Sequence, residues 1–376
     1  MADKIRAAVI GAGGIADQHI RGYLDTRRYE IVALADLHPA AMEEKNARFG
    51  IRPAHFTDAR RMLDEVRPDV VSICTWHAGH SEWTIAAAAR RPQVILCEKP
   101  MADSVGNAEQ MLIACRRNGV KLAIGHQRRF LPAYTLARTM IREGRIGDVR
   151  LIQSFAGAGL PNFASHQTDM YRYLLHEDEC EWVMGNVERK TDRHERNTRI
   201  EDCAVGVFSF KGGAQALILS DVLPLVFQGA LVYGTEGAMR LTTSDLQLCN
   251  ADTRGAWERH VPAGKFYTVE QMGDRFEWVE GGAAQADGVA DWAEGREPYR
   301  STGEDGYKAL QMVHGIYESA RMHERVMMPL QTRVNPLDLM VETGHLAPER
   351  PGRYDIRALH LRGENMAADS APGTAR

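Results

Sequence analysis

Four short stretches of this 376-residue chain combine residue types able to do chemistry with a spacing that gives them a task. Gly11-Ala12-Gly13-Gly14-Ile15-Ala16 follows a β-branched apolar run and fits the pattern G-x-G-x-x-G/A. In such a turn Gly11 reverses the backbone, Gly13 lets it approach a pyrophosphate, and Ala16 lets the next helix pack on the strand. Gly14 and Ile15 complete the loop, and the anion rests on the N–H groups of the helix start. A Gly-rich turn alone is a weak signal, so its surroundings decide. The run YEIVALAD ends in Asp36, 25 residues after Gly11, where a carboxylate accepts from adenosine-ribose hydroxyls and repels a 2′-phosphate. NAD is expected over NADP, although His38 nearby could soften the preference.

The other three stretches also follow apolar runs. Thr75-Trp76-His77-Ala78-Gly79-His80 is placed to flank the cofactor; no carboxylate or thiolate near His77 and His80 completes a metal set, so no metal is expected. Cys97-Glu98-Lys99-Pro100 puts a lysine at a strand end, where it can donate to a substrate hydroxyl or exchange its proton once desolvation lowers its pKa. Glu98 and Lys99 are also expected to reach the cofactor. Gly125-His126-Gln127-Arg128-Arg129-Phe130 adds donors at the same crevice, with His126, Arg128 and Arg129 as substrate contacts and the arginines suited to an anionic group.

The elements that must position these residues are legible in the texture of the chain. From Ile5 to about Gly125 the runs RAAVIG, YEIVALAD, DVVSICT, QVILCEK and VKLAIG alternate with helix-forming segments such as HPAAMEEKNARFG and SEWTIAAAARR. This predicts a doubly wound parallel sheet, an α/β dinucleotide-binding domain over residues 1–125. After Gly125, VRLIQSFAGAG, CAVGVFSF, AQALILSDV, GALVYGT and AMRLTTSDLQLCN follow one another without intervening helices. Turns at Lys211-Gly212-Gly213 and Gly234-Thr235-Glu236-Gly237 make them hairpins. Residues 126–330 are thus expected to form an α+β domain on a large, mostly antiparallel open sheet, for substrate and oligomer contacts. One helix is predicted from about Ser165 through Leu175. A second is predicted after Ser301-Thr302-Gly303-Glu304, read as a capping box, with Leu310, Val313, Tyr317 and Ala320 on one stripe. Residues 331–376 are read as a C-terminal extension, an arm over a neighbouring subunit or a strap on its own chain, with a disordered tail from Ala367.

Composition narrows the function classes. With 44% hydrophobic and 26% charged residues the chain can bury a core, and a formal net charge of −4 argues against a polyanion such as nucleic acid as partner. The six cysteines, Cys74, Cys97, Cys115, Cys180, Cys203 and Cys249, show no zinc or C-x-x-C spacing and read as reduced thiols. The N-terminal MADKIRAAVIGAGG has no apolar signal region or twin arginine, and no run is long enough to span a bilayer. A cytoplasmic protein without membrane contact is expected.

In their order, GAGGIA, TWHAGH, CEKP, GHQRRF and Ser165-His166-Gln167-Thr168-Asp169 leading into Tyr173-Leu174-Leu175 resemble the Gfo/Idh/MocA oxidoreductases, the family of glucose–fructose oxidoreductase and inositol dehydrogenase. The resemblance runs from about Ile5 to Ala320, with strong motifs in the first 175 residues and only texture beyond. It implies a nicotinamide-binding domain, a second domain whose open sheet makes oligomer contacts in a homodimer or homotetramer, and substrate held between them. By motif match the catalytic pair is Lys99 and His166, flanking a carbinol or ketone carbon opposite the nicotinamide. Many dehydrogenases of this family carry Asp four residues before that histidine, whereas this chain carries Asn162, whose amide can hydrogen-bond but cannot share a proton relay as a carboxylate does. Asn162 is read as a contact to a sugar hydroxyl or as a loop residue, and Asp169 as support for the helix.

The function expected is hydride transfer between NAD and a secondary hydroxyl or ketone of a sugar, glycoside or cyclitol. Two alternatives share the cofactor site: an NAD-dependent glycosidase working by transient oxidation, elimination and re-reduction, and a non-catalytic NAD-binding regulator.

Overall fold

A computed structural model of the chain describes residues 4–222 and 229–357. The tail from Ala367 lies outside them. Six strands, β1 (Ile5–Ile10), β2 (Tyr29–Ala35), β3 (Ala54–Phe56), β4 (Val70–Ile73), β5 (Val94–Cys97) and β6 (Lys121–Ile124), form a wholly parallel sheet in the order 3-2-1-4-5-6. β4 and β5 are buried at every residue, which is why they read as unbroken apolar runs: helices cover both faces. Those helices are α1 (Ala16–Thr26), α2 (Pro39–Phe49), α3 (Ala59–Val66), α4 (His80–Ala88) and α5 (Val105–Asn118). The strand order reverses between β1 and β4, so a crevice opens at their carboxyl ends. β3, three residues long, was not apparent in the sequence.

After α6 (Pro132–Arg142) the chain builds a second sheet. Its strands are β7 (Val149–Ala156), β8 (Cys180–Glu188), β11 (Cys203–Phe210), β12 (Gln215–Ser220), β13 (Gly229–Gly234), β14 (Gly237–Thr242), β15 (Leu246–Asn250), β16 (Glu258–His260) and β17 (Val326–Met327). They run in the order 16-15-14-13-7-12-11-8-17, antiparallel except where β12 lies parallel to β7. Both predicted hairpins form, β11–β12 and β13–β14. AMRLTTSDLQLCN is not one strand: Thr242–Asp245 turns it back, with the Thr242 N–H donating to the Asp245 carbonyl at 2.8 Å. Short strands β9 (Thr191–Glu195), β10 (Thr198–Arg199) and β18 (Arg350–Asp355) form a separate small sheet that the sequence did not announce.

The inner face of the large sheet packs on α7 (Ser165–Leu174) and α10 (Gly303–Met322) in one apolar core with Tyr171, Phe208, Ile316 and Tyr317. α10 starts one residue later than expected. Thr302 is the N-cap, and its backbone N–H and hydroxyl both donate to Asp305, while Ser301 turns to His126. Between them come α8 (Val269–Met272) and α9 (Phe276–Ala293). α9, with three glycines in FEWVEGGAAQADGVADWA, gave no helical signal in the sequence, yet it packs on α1 of the parallel-sheet half. There Gly22 and Gly282 meet so closely that a Cβ on Gly22 would lie 2.6 Å from the Gly282 carbonyl oxygen. Ala286, Val289 and Ala290 of α9 thereby complete the core around β1 and β2, although they belong to the 126–330 segment. The C-terminal α11 (Pro336–Glu342) lies against α10 on the same chain, and β18 pairs with β9 of that chain. Over the described residues the extension thus packs along its own chain. Among those residues no helix is long and apolar enough to cross a membrane.

Candidate active site

The glycine turn sits at the mouth of the crevice. Gly11 has φ +92°, and a Cβ there would lie 2.7 Å from the Cys74 carbonyl group, so both conformation and crowding demand glycine. Gly13 and Gly14 differ. They are exposed, and a Cβ on either would meet nothing within 4 Å, so the space above the turn is open. Ile15 is half-buried, and Ala16 begins α1. The Asp36 carboxylate accepts from the backbone N–H of Ala12 at 2.7 Å and of His38 at 2.8 Å, which ties the end of β2 to the turn. An open cradle at a helix N-terminus with a carboxylate beside it suits a dinucleotide with an unphosphorylated ribose.

Behind this turn runs a buried polar chain that the sequence did not reveal. The Tyr23 hydroxyl is 2.5 Å from Ser72 Oγ, which is 2.8 Å from His19 Nδ1, and His19 Nε2 is 3.0 Å from Glu98 Oε1. Glu98 Oε2 accepts from the Lys99 backbone N–H at 3.2 Å. Burial works to raise the Glu98 pKa, but the His19 contact and the cations nearby leave it below the usual value. Expected as a cofactor contact, Glu98 lies buried beneath the site and steadies the backbone of Lys99. His19 stands on α1 three residues after Ala16, on its buried face, and that periodicity is the signal that could have found it.

The Lys99 amine donates to Asn162 Oδ1 at 2.9 Å and to the Asn162 carbonyl at 3.2 Å. Burial brings its pKa down to about 8; Glu98 and Glu195 oppose this shift while Arg196 and Arg128 assist it. Asn162 lies in a single π-helical turn, Leu160–Ala164, that runs directly into α7. Two carboxylates hold that turn in place: buried Glu201 accepts from the Leu160 N–H at 2.6 Å, and half-buried Asp221 from the N–H groups of Ala158 and Gly159 at 3.1 and 2.9 Å. His166, on the first turn of α7, is buried and has no partner for Nδ1 among the described residues. Its pKa lies well below the usual imidazole value, through burial first and then through Lys99, Arg128 and His126.

The GHQRRF segment divides. Arg128 donates from Nε to Glu277 at 2.7 Å, stacks over Phe163 at 5.2 Å and leaves Nη1 buried without a hydrogen-bond partner among the described residues. His126 faces Ser301 and Asp169 through Nδ1, its ring centre 6.2 Å from that of His166, and its Nε2 has no partner among the described residues. Arg129, expected to contact substrate, points inward instead. It pairs with both oxygens of Asp169 (3.0 and 2.8 Å from Nε), with Glu177 at 2.9 Å and with the Arg300 carbonyl at 2.6 Å. A guanidinium so fully engaged has no donor to offer a ligand.

The TWHAGH residues divide as well. Thr75 and Trp76 are half-buried at the rim. His80, expected to meet the cofactor or cap a helix, opens α4 fully buried, with its ring nitrogens facing the carbonyls of Pro100 (2.8 Å) and Thr75 (3.0 Å). It ties the β4 loop to the loop after β5. His77 is buried too, and burial holds its pKa well below normal. Its Nε2 lies 3.8 Å from Glu195, a residue from the unforeseen hairpin β9–β10.

A family model described as an oxidoreductase family with an NAD-binding Rossmann fold matches residues 5–126, and its companion, the C-terminal alpha/beta domain, matches residues 138–328. D-apiose dehydrogenase of Paraburkholderia graminis is 27% identical over 338 residues, 85% of this chain and 88% of the relative. Myo-inositol 2-dehydrogenase of Thermotoga maritima is 25% identical over 57% of this chain and 67% of its own length. Among solved structures, levoglucosan dehydrogenase in complex with NADH and levoglucosan has the same fold, with TM-score 0.75 and 21% identity over 87% of this chain and all of that one.

Proposed function

Because the chain belongs to the Gfo/Idh/MocA oxidoreductase family, we propose that it transfers a hydride between NAD and a secondary hydroxyl or ketone of a sugar, glycoside or cyclitol. The observation that carries this reading is the Lys99 amine, held against Asn162 beside a buried His166 with its pKa brought to about 8. The similarity to apiose and inositol dehydrogenases supports the substrate class.

NAD, when bound, supplies the hydride acceptor. Gly11, Gly13, Gly14, Ile15 and Ala16 would hold its pyrophosphate, Asp36 its adenosine ribose, and Thr75, Trp76 and His77 would flank it. Lys99 handles the hydroxyl proton. As a free amine it takes that proton while the carbinol C–H hydride leaves, and as ammonium it returns the proton in reduction. A group with a pKa near the working pH is suited to both directions. His166, kept neutral by burial, orients the reacting oxygen through a hydrogen bond. Arg128 Nη1 and His126 Nε2, both buried and without a hydrogen-bond partner among the described residues, hold further hydroxyls or a carboxylate of the substrate.

This reading includes a cytoplasmic homo-oligomer, a dimer or tetramer formed through the outer face of the nine-stranded sheet. Support comes from apolar side chains left exposed on its strands, Met184, Val205, Tyr233 and Met327, and from six free cysteines.

The test is incubation of the pure protein with NAD and a panel of polyols, sugars and glycosides, following NADH absorbance and products together. Stoichiometric NADH with an oxidised product is expected. Glycoside cleavage without NADH would replace this reading with a redox-assisted glycosidase, and NAD binding without turnover across the panel would favour a regulator.

A further inference from the structure

The small third sheet, which no motif announces, buries a charge beside the site. β18 lies parallel to β9, with Tyr354 opposite Arg193 and Asp355 opposite His194. At the hairpin tip, Arg196 and Asn197 both adopt left-handed backbone, φ 47° and 64°. The Asp355 carboxylate accepts from their N–H groups at 3.2 and 2.7 Å, so the C-terminal strap clamps the tip. This strap lies beyond residue 328, where the family match ends.

Clamped in this way, Glu195 is 0% exposed. Its Oε1 pairs with the Arg196 guanidinium and lies 3.6 Å from Arg357 Nε. Its Oε2 has no hydrogen-bond partner among the described residues and faces His77 Nε2 across the crevice at 3.8 Å. His77 belongs to the parallel-sheet half and Glu195 to the C-terminal half, so the contact joins the two walls of the site. A buried carboxylate oxygen without a partner is costly, and packing alone would be served better by an apolar side chain of the same volume.

We propose that Glu195 is the acidic positioning residue of this site: held by the strap, its carboxylate fixes the His77 loop and supplies the negative charge that the amide of Asn162 cannot give Lys99. The inference rests on the reading of Lys99 as the proton-handling group. The charged and titratable groups facing Glu195 are Arg196 on its own hairpin, Arg357 and Asp355 on the strap, His77 on the β4 loop and Lys99 at the end of β5. Those acting on Lys99 are Glu98, Glu195, Arg196 and Arg128. Of its two anions Glu98 is already engaged by His19 and the backbone, which leaves Glu195 as the one with an oxygen to spare.

The test reads Lys99 directly and needs no substrate. With only eight lysines in the chain, lysine-selective ¹³C labelling resolves the Cε signals, and Lys99→Arg assigns that of Lys99. Removing a nearby anion disfavours the ammonium, so Glu195→Gln is expected to lower the Lys99 titration midpoint by about half a pH unit or more. Glu195→Asp should restore most of the shift, and Asp355→Asn, which loosens the hairpin tip, should give a smaller shift of the same sign. A Glu195→Gln protein that keeps the wild-type melting temperature and NAD affinity but leaves the Lys99 midpoint unmoved overturns the proposal. Should Glu195→Gln fail to fold, an unmoved midpoint in Asp355→Asn overturns it instead. Failure of the oxidoreductase reading would appear separately, as absence of NADH formation by the wild type.

Discussion

The Lys99 ammonium donates to both oxygens of Asn162, the side-chain amide at 2.9 Å and the main-chain carbonyl at 3.2 Å. The lysine stands at the end of a parallel strand and the asparagine in a π-helical turn of the other half, so this pair fixes the distance between the two walls of the crevice. An amide oxygen accepts a hydrogen bond but carries no charge and takes no proton at neutral pH, so it orients the amine without acting as a relay.

If Lys99 handles the hydroxyl proton, Lys99→Met should lower NADH formation by about 10²–10⁴-fold. NAD binding, followed by fluorescence titration, should change far less. Comparable losses in both would mean that the lysine serves binding alone.

The pH profile follows from the same group. With a pKa of about 8, Lys99 is protonated and inactive as a base at lower pH, so the oxidation rate should fall roughly tenfold per unit below that value. Asn162→Asp puts a carboxylate against the ammonium and favours the charged form, so the acidic limb should move up by about one pH unit. A limb that stays in place would assign the pKa to another group.

His166 is already neutral through burial and should not define that limb. His166→Asn should therefore reduce kcat while leaving the acidic limb where it is in the wild type. A limb displaced in this variant would make the imidazole the titrating base.

The glycines of the first turn should separate stability from binding. Gly11→Ala forces a Cβ to within 2.7 Å of the Cys74 carbonyl at φ +92°, and thermal unfolding should show a substantial loss of stability. Gly13→Ala meets nothing in the protein, so its melting temperature should match the wild type while calorimetry records weakened NAD binding.

Asp169 lies buried between Arg129 and His126, and although burial opposes it, these partners hold its carboxyl well below the ordinary range. A depressed folded-state pKa gives stability that is present above the unfolded value of about 3.9 and is lost as the pH falls through the folded value. Asp169→Asn leaves Arg129 with its principal partner neutralised, and chemical denaturation at pH 7 should register a cost of about 3–5 kcal/mol. A cost near zero would show that Glu177 alone compensates the guanidinium.

Much was legible from the order of residues because it depends on local rules. GAGGIA after an apolar strand, Asp36 at the end of the next, the alternation of runs and helices up to Gly125, and the hairpin glycines at 212–213 and 234–237 each act within a few residues of themselves. Lys99, His126, Arg128 and His166 were legible as candidates for the same reason: they follow strand ends or open a helix, and the fold brings them near one another. What pairing across the fold decides was not legible. Arg128 and Arg129 are neighbours of the same type, yet one pairs with Glu277 and the other is consumed by Asp169 and Glu177, because each meets carboxylates brought up by distant segments. His19, Glu201, Asp221 and Glu195 matter through partners dozens to more than a hundred residues away. Local sequence fixes the element on which a side chain rides. Only the packing of the two sheets, with α9 and the C-terminal strap crossing between them, decides which buried charges meet and which are left facing the crevice.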